Sequence, residues 1–279
     1  MKCKHGIIGF PLGHTLSPAM HNASFEKFKL DSEYLVFETR PEQVGEFIGK
    51  MRKEGIKGIN VTIPHKHTVM KYLDKIDKAA RAIGAVNTIV NNKGKLTGYN
   101  TDYLGFLKTL ELNKIKLKGK EVVMIGAGGA AHALAYAIKL LTPKKFHIIN
   151  IDMAMSETLL KKLKLKNIKL HNLDKTAEKD AIIAKADFII NATSVGMHDH
   201  EVPYKIDKLK KSAVVYDLIY NPAKTEFLKQ AEKKGVKIIN GLDMLIWQGI
   251  EAFKIWTGKT PDYKFVKKAV DAYLKKNKK

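Results

Sequence analysis

The sequence predicts an α/β protein in two parts, the second of them a doubly wound, mostly parallel sheet. Strand-like apolar segments alternate with helical ones along most of the 279 residues, the pattern of strands joined by helical crossovers. A glycine turn, Gly126-Ala127-Gly128-Gly129-Ala130-Ala131, lies between a short buried strand at 121–125 and a helical segment at 130–141. More than a hundred residues precede that turn, enough for a separate domain with its own core.

Residues 4–8 read as the first strand, followed by the loop Gly9-Phe10-Pro11-Leu12-Gly13. Ser17 is placed as an N-cap, with Pro18 at the first helical position. A strand is expected at 34–37, then a helix at 42–54 with Val44, Phe47, Ile48 and Met51 on its inner side. A third strand at 58–63 is closed by Pro64, and segments 85–90 and 96–99 form a hairpin around Asn91-Asn92-Lys93-Gly94. The first domain ends near residue 101, and a helix over 101–112 bridges to the second.

The second domain runs strand 121–125, helix 130–141, strand 145–150, helix 155–164, strand 168–171, helix 177–185 and strand 187–191. Strand 214–217, helix 224–234 and strand 236–239 complete it, and the repeated βα units support a doubly wound sheet. Two helical patterns follow at 244–256 and 262–276; periodicity does not say which domain they cover.

Composition narrows the class. The chain is 45% apolar with 8 prolines and no apolar run of membrane-spanning length, so it reads as folded, soluble and not membrane-bound. Lys2 and Lys4 lack a following signal-like stretch, and one cysteine, Cys3, excludes a disulfide framework and a cysteine-built zinc site; both point to the cytoplasm. The formal charge of +22 invites a nucleic-acid reading. Only Arg40, Arg52 and Arg81 are arginines, however, and base reading leans on arginine's bidentate fork. The excess lysine is spread over exposed helix faces, so no nucleic-acid partner is expected.

In the glycine turn, Gly126 permits the tight bend, Gly128 lets a pyrophosphate approach the backbone, and Ala131 is small enough for close helix–sheet packing. The free amides and positive end of the next helix suit phosphate; no Lys-Ser/Thr pair follows, which disfavours an NTP-hydrolysing loop. The next strand ends at Asn150-Ile151-Asp152, where an adenosine ribose should lie. A carboxylate there accepts from the ribose hydroxyls of NAD and repels the extra phosphate of NADP; the plainer alternative makes Asp152 an N-cap.

Several segments then carry a family resemblance. They are Gly9 to Pro18 with His21-Asn22; Asn60-Val61-Thr62-Ile63-Pro64-His65-Lys66; Gly84-Ala85-Val86-Asn87-Thr88; and Gly98-Tyr99-Asn100-Thr101-Asp102. Asn191-Ala192-Thr193-Ser194-Val195-Gly196-Met197, Tyr216 to Pro222, Asn240-Gly241-Leu242, Met244-Leu245 and Gln248-Gly249 continue it. In order and spacing across nearly the whole chain they resemble the shikimate dehydrogenases. The resemblance implies an N-terminal α/β substrate domain and a Rossmann-type dinucleotide domain, with the C-terminal helices returning to the first. The expected domains are thus 1–101 with 241–279, and 102–240.

The implied activity is reversible hydride transfer between a nicotinamide cofactor and 3-dehydroshikimate or shikimate, in the pathway to aromatic amino acids. Lys66 and Asp102 would be the catalytic pair. Thr15 and Ser17 would bind the substrate carboxylate with help from Tyr220; Asn60, Thr62, Asn87 and Gln248 would hydrogen-bond the ring hydroxyls. Gly126, Ala127, Gly128, Gly129, Ala130, Asn150, Asp152, Thr193, Leu218 and Gly241 would contact the cofactor. A monomer or homodimer is expected.

The chain departs from the family pattern at several positions. Thr15 stands where serine is usual, Tyr103 and Asp243 where glycine is usual. The usual NADP form carries an asparagine–arginine–threonine segment and a further arginine; here the positions hold Asn150, Ile151, Asp152 and Met155. Losing two phosphate clamps and gaining a carboxylate favours NAD over NADP, the usual family cofactor, though Lys161 or Lys162 could partly compensate. No metal site is expected: His65 with His67 and His198 with His200 lack a third ligand. The alternatives are an NAD-dependent quinate/shikimate or related cyclic hydroxy-acid dehydrogenase and, more remotely, a non-enzymatic nucleotide-binding regulator.

Overall fold

The structure is a computed structural model that describes residues 2–13, 15–163, 168–174 and 176–276. His14 of the first motif and residue 164, the end of the helix expected over 155–164, lie outside the described residues. The chain divides into two compact units, Met1–Gly105 with Ile246–Lys279, and Phe106–Leu245.

The first unit is a six-stranded mixed sheet. Its strands are β1 (Cys3–Gly9), β2 (Ser32–Glu38), β3 (Gly58–Val61), β4 (Lys75–Ile76), β5 (Thr88–Asn92) and β6 (Lys95–Tyr99), in the order β2-β1-β3-β5-β6-β4. β1 runs parallel to both neighbours, Ile7 standing opposite Val36 on one side and Asn60 on the other. β3, β5 and β6 are antiparallel, with Lys93 and Gly94 of the tight turn at φ 51° and 88°. One face is covered by α2 (Val44–Lys53), whose Val44, Phe47, Ile48 and Met51 bury against Ile8, Ile59 and Ile89 as the apolar spacing predicts.

The other face packs on α1 (Ser17–Lys27), with Phe25 and Tyr34 against Phe253 of α9 (Leu242–Thr257). Further along α9 the Trp256 indole lies so close to Gly58 that a β-carbon there would strike it, and its Nε1 donates to Ile89 O at 3.0 Å. α10 (Tyr263–Lys276) packs against α1. The C-terminal helices thus complete the core of the first unit.

Local differences from the sequence reading have physical causes. The strand expected over 58–63 ends at Val61, because the His65 amide donates to Thr62 O at 2.9 Å and turns the chain; Ile63 is 69% exposed. Ser17 does not cap α1. Leu16 is already helical and no side chain caps the helix, while Thr15 Oγ1 accepts from the Ser17 amide at 3.3 Å. A short 3-10 turn at Thr68–Tyr72, β4, and α3 (Lys78–Ile83) were too brief to show in the hydrophobic pattern.

The second unit is a six-stranded parallel sheet: β7 (Glu121–Ile125), β8 (Lys145–Asn150), β9 (Ile168–Asn172), β10 (Phe188–Asn191), β11 (Val214–Asp217) and β12 (Lys237–Ile239), in the order β12-β11-β10-β7-β8-β9. The connecting helices include α5 (Gly129–Leu140), α6 (Met153–Leu163), α7 (Ala177–Lys185) and α8 (Glu226–Lys233). The winding reverses between β7 and β10, the switch point where doubly wound sheets bind ligands beyond their strand ends. The boundaries between the units fall inside α4 (Asp102–Leu112), after Gly105, and inside α9, before Ile246.

Candidate active site

One ion pair of the first unit joins the two residues expected to be catalytic, Lys66 and Asp102. Lys66 lies on the turn that follows β3, and Asp102 opens α4 directly after β6. Lys66 Nζ is 2.7 Å from Asp102 Oδ2, with the side chains 14% and 9% exposed. Backbone bonds hold both ends: Val86 N donates to Lys66 O at 2.8 Å, and Asn100 Oδ1 accepts from the Asp102 amide at 3.0 Å. Asn100 thereby caps α4, and its own amide is pinned to Ala85 O at 3.0 Å.

The other Asp102 oxygen, Oδ1, accepts from Asn87 Nδ2 at 2.9 Å. The same amide reaches Thr101 Oγ1 at 2.9 Å and Gln248 Oε1 at 3.4 Å, while Asn87 Oδ1 accepts from the Thr101 amide at 2.7 Å and the Thr88 hydroxyl at 3.0 Å. Asn60 stands behind this group, donating to Asn87 O and Thr88 Oγ1 at 3.3 Å and accepting from Tyr34 Oη at 2.7 Å. Burial pushes the Tyr34 phenol well above its usual range, a hydrogen bond from Ser17 opposing it. Five predicted residues, Lys66, Asp102, Asn87, Gln248 and Asn60, are therefore joined by hydrogen bonds, all but Lys66 buried.

Thr62 stays at the end of β3 with its amide on Ile8 O, and Thr15 sits in the loop ahead of Ser17. Tyr220 belongs to the second unit, in the turn after β11, where burial raises its phenol. Tyr34, Thr88, Asn100 and Thr101 have no assigned role in the sequence reading. Asn100 had a usable signal, an asparagine directly ahead of the helix expected over 101–112; Tyr34 had none. His65 Nε2 pairs with Thr39 O and His67 Nδ1 with Gly84 O, each at 2.6 Å, which gives both histidines a loop-fixing partner.

In the second unit the glycine turn crosses the end of β7. Gly126 has φ 102°, and a β-carbon there would come within 2.7 Å of Thr193 Cγ2, so the turn demands glycine on its own account. Gly128 differs: it is the N-cap of α5, and the space its side chain would enter is open. An open approach to a helix N-terminus fits a pyrophosphate. Ala131 is fully buried. Thr193, Leu218 and Gly241 follow β10, β11 and β12, on the same rim of the sheet.

At the end of β8, Asn150 donates to Asp152 O at 2.6 Å, and Asp152 Oδ1 accepts from the Met155 amide at 3.0 Å. Asp152 thus caps α6; it is itself exposed, as are Ile151 and Met155 beside it at 77% and 44%.

A doubly wound sheet with a dinucleotide-type glycine turn, joined to an α/β unit holding a largely enclosed lysine–aspartate pair, defines a dinucleotide-dependent oxidoreductase of two units. Residues 7–89 match the shikimate dehydrogenase substrate binding domain, 109–218 the shikimate / quinate 5-dehydrogenase family, and 241–270 the shikimate 5'-dehydrogenase C-terminal domain. Shikimate dehydrogenase (NADP(+)) of Geobacillus kaustophilus is 42% identical over 279 residues, covering 99% of this chain and 100% of that protein. A crystallised shikimate dehydrogenase in complex with NADP+ superposes with a TM-score of 0.89 at 42% identity, over 98% of this chain and 96% of its own. Shikimate 5-dehydrogenase of Listeria monocytogenes, in complex with shikimate and NAD, gives 0.89 at 36% identity, over 96% of both chains. The chain belongs to the shikimate dehydrogenase family.

Proposed function

We propose that this chain interconverts 3-dehydroshikimate and shikimate reversibly with a nicotinamide dinucleotide, and that Lys66 and Asp102 carry the proton chemistry. The observation that supports these roles is their 2.7 Å pairing at the centre of a hydrogen-bonded group that includes Asn87 and Gln248. When bound, the nicotinamide ring supplies the redox half of the reaction. Reducing a ketone leaves negative charge on its oxygen, which needs a proton and a nearby cation. The Lys66 ammonium provides both. In the oxidative direction the pair withdraws the alcohol proton. Asp102 orients Lys66 through Oδ2, and Asn87 fixes the carboxylate's plane through Oδ1.

Thr15 and Ser17 grip the substrate carboxylate. Asn87 and Gln248 take ring hydroxyls by exchanging their long mutual bond of 3.4 Å for substrate bonds. Asn60 and Thr62 contribute at the ring's edge; Asn60 already holds Tyr34, Asn87 and Thr88, so its larger part is to keep Asn87 in place.

The open space at Gly128 and the amides opening α5 fit the cofactor pyrophosphate, with Gly126, Ala127, Gly129 and Ala130 shaping the turn. Asn150 and Asp152 hold the adenosine ribose, and Thr193, Leu218 and Gly241 the nicotinamide half. The exposed carboxylate of Asp152, in a place without arginine, selects NAD over NADP. We place the reaction in the cytoplasm, which the unpaired, exposed Cys3 supports. A steady-state matrix of shikimate and quinate against NAD and NADP tests the reading. Turnover with shikimate, and a lower KM for NAD than for NADP, is the expected result; cofactor binding without turnover of either acid would sink it.

A further inference from the structure

We propose that Asp217 is a positioning residue that sets the two loops serving the nicotinamide half of the cofactor. The inference rests on the functional reading above, and concerns a residue that makes no expected contact with cofactor or substrate.

Asp217 ends β11 and is fully buried. Burial raises its carboxyl while three donors oppose that shift. Its Oδ1 accepts from Asn191 Nδ2 and from the Ile219 amide, each at 3.0 Å, and its Oδ2 accepts from the Thr225 hydroxyl at 2.6 Å. Each donor belongs to a different piece of the rim. Asn191 ends β10, Ile219 lies in the turn after β11, and Thr225 is the N-cap of α8, taking the Leu228 amide at 3.3 Å.

Asn191 passes the constraint outward. Its Nδ2 also reaches Val195 O at 3.3 Å, and its Oδ1 accepts from both the amide and the hydroxyl of Thr193, at 3.0 and 2.7 Å. Thr193 Oγ1 in turn accepts from the Val195 amide at 3.1 Å. On the other side, Leu218 N donates to Asn191 O and Gly241 N to Ile219 O, at 3.0 and 3.1 Å. Thr193, Leu218 and Gly241, the three residues expected at the nicotinamide half, are thus tied to one carboxylate within a few bonds. An acceptor-only group is suited to this: it takes donors from three directions with no donor of its own to satisfy.

The asymmetry of the sheet makes the effect local. In a doubly wound fold the strands on one side of the switch point serve one mononucleotide and those on the other side the second. Asp217 and its partners lie entirely on the β10-β11-β12 side; Gly128, Asn150 and Asp152 lie on the β7-β8-β9 side. Loosening Asp217 should therefore weaken the nicotinamide half and spare the adenosine half.

The test compares wild-type protein with Asp217→Asn, Thr225→Val and Thr225→Ser, titrated with NADH and separately with ADP-ribose. Asparagine keeps the shape but loses the charge; valine removes the hydroxyl, and serine restores it. The expected result is a loss of NADH affinity of about ten- to a hundredfold in Asp217→Asn and Thr225→Val, with ADP-ribose affinity held within about twofold and Thr225→Ser close to wild type. KM for shikimate should stay unchanged. Equal weakening of both ligands would reduce Asp217 to a general support of the fold and overturn the proposal, as would no weakening of either. Wild-type protein that binds neither ligand would instead overturn the functional reading, and the proposal with it.

Discussion

Lys66 and Asp102, 36 residues apart in sequence, meet through a 2.7 Å contact between Nζ and Oδ2. Because Asn87 occupies the second carboxylate oxygen, Asp102 has a fixed orientation and Lys66 has one place to stand. Replacing Lys66 by alanine removes the proposed proton donor while leaving the second unit untouched. We expect kcat to fall by roughly 10²–10⁴-fold, with the affinity for NADH unchanged. Stopped-flow turnover beside a fluorescence titration of NADH checks both halves. A Lys66→Ala protein with near-normal turnover would remove Lys66 from the chemistry.

Asn87→Ala tests the buried group from its centre. The variant strips acceptors from the Thr101 amide and the Thr88 hydroxyl, and a donor from Asp102. An unsatisfied buried polar group costs about 1–3 kcal/mol. For a chain of this size that lowers Tm by several degrees, at roughly 2–4 °C per kcal/mol. Activity should drop further than stability, since Asp102 loses its guide. Differential scanning calorimetry and kinetics on the same sample would separate the two, and an unchanged Tm would show that the network carries no load.

How much of this was legible beforehand follows from how local each signal is. The Gly126 turn and the strands around it were readable because turn chemistry and periodicity are written within a dozen residues. Lys66 and Asp102 were named only through the order of motifs along the chain; nothing in either loop alone says that they meet. Tyr34 was invisible, because its role depends on Asn60, 26 positions away across the sheet. The Ser17 assignment shows the converse error. A serine ahead of a proline reads as an N-cap, but Leu16 takes the cap position with helical dihedrals, and Ser17 is the first residue of the helix.

We expect Asp152 to govern cofactor choice. Its Oδ1 is spent on the Met155 amide, so a ligand would be met by Oδ2. The double variant Ile151→Arg with Asp152→Thr supplies a cation for a 2′-phosphate, removes the carboxylate and keeps a capping oxygen. The ratio of kcat/KM for NADP to that for NAD should rise by roughly ten- to a hundredfold, the worth of one charge-assisted hydrogen bond. A wild-type ratio already favouring NADP would show that lysines such as Lys161 and Lys162 bind the phosphate instead.

Acid stability turns on two histidines in the aromatic core of the first unit. Burial lowers the pKa of His5 to about 4, with Lys57 adding to the shift and a hydrogen bond involving the Cys3 backbone opposing it. Burial lowers His21 to about 3, with His5 adding and Asn60 opposing. Both values lie below the 6.5 of an unconstrained histidine, so the unfolded chain takes up these protons first. Their neutral forms leave stability intact above pH 6.5; it declines as pH falls below that, until the folded state itself is protonated near 4 and 3. Each histidine should remove about 2 kcal/mol between pH 6.5 and 5. The imidazole centroids of His5 and His21 lie 5.4 and 5.1 Å from the Trp256 ring, so tryptophan emission should report the loss of this packing. Urea unfolding at pH 7 and pH 5, for wild type and for His21→Phe, isolates the contribution. The phenylalanine variant should show the shallower pH slope, and identical slopes would mean that His21 takes no part in the acid transition.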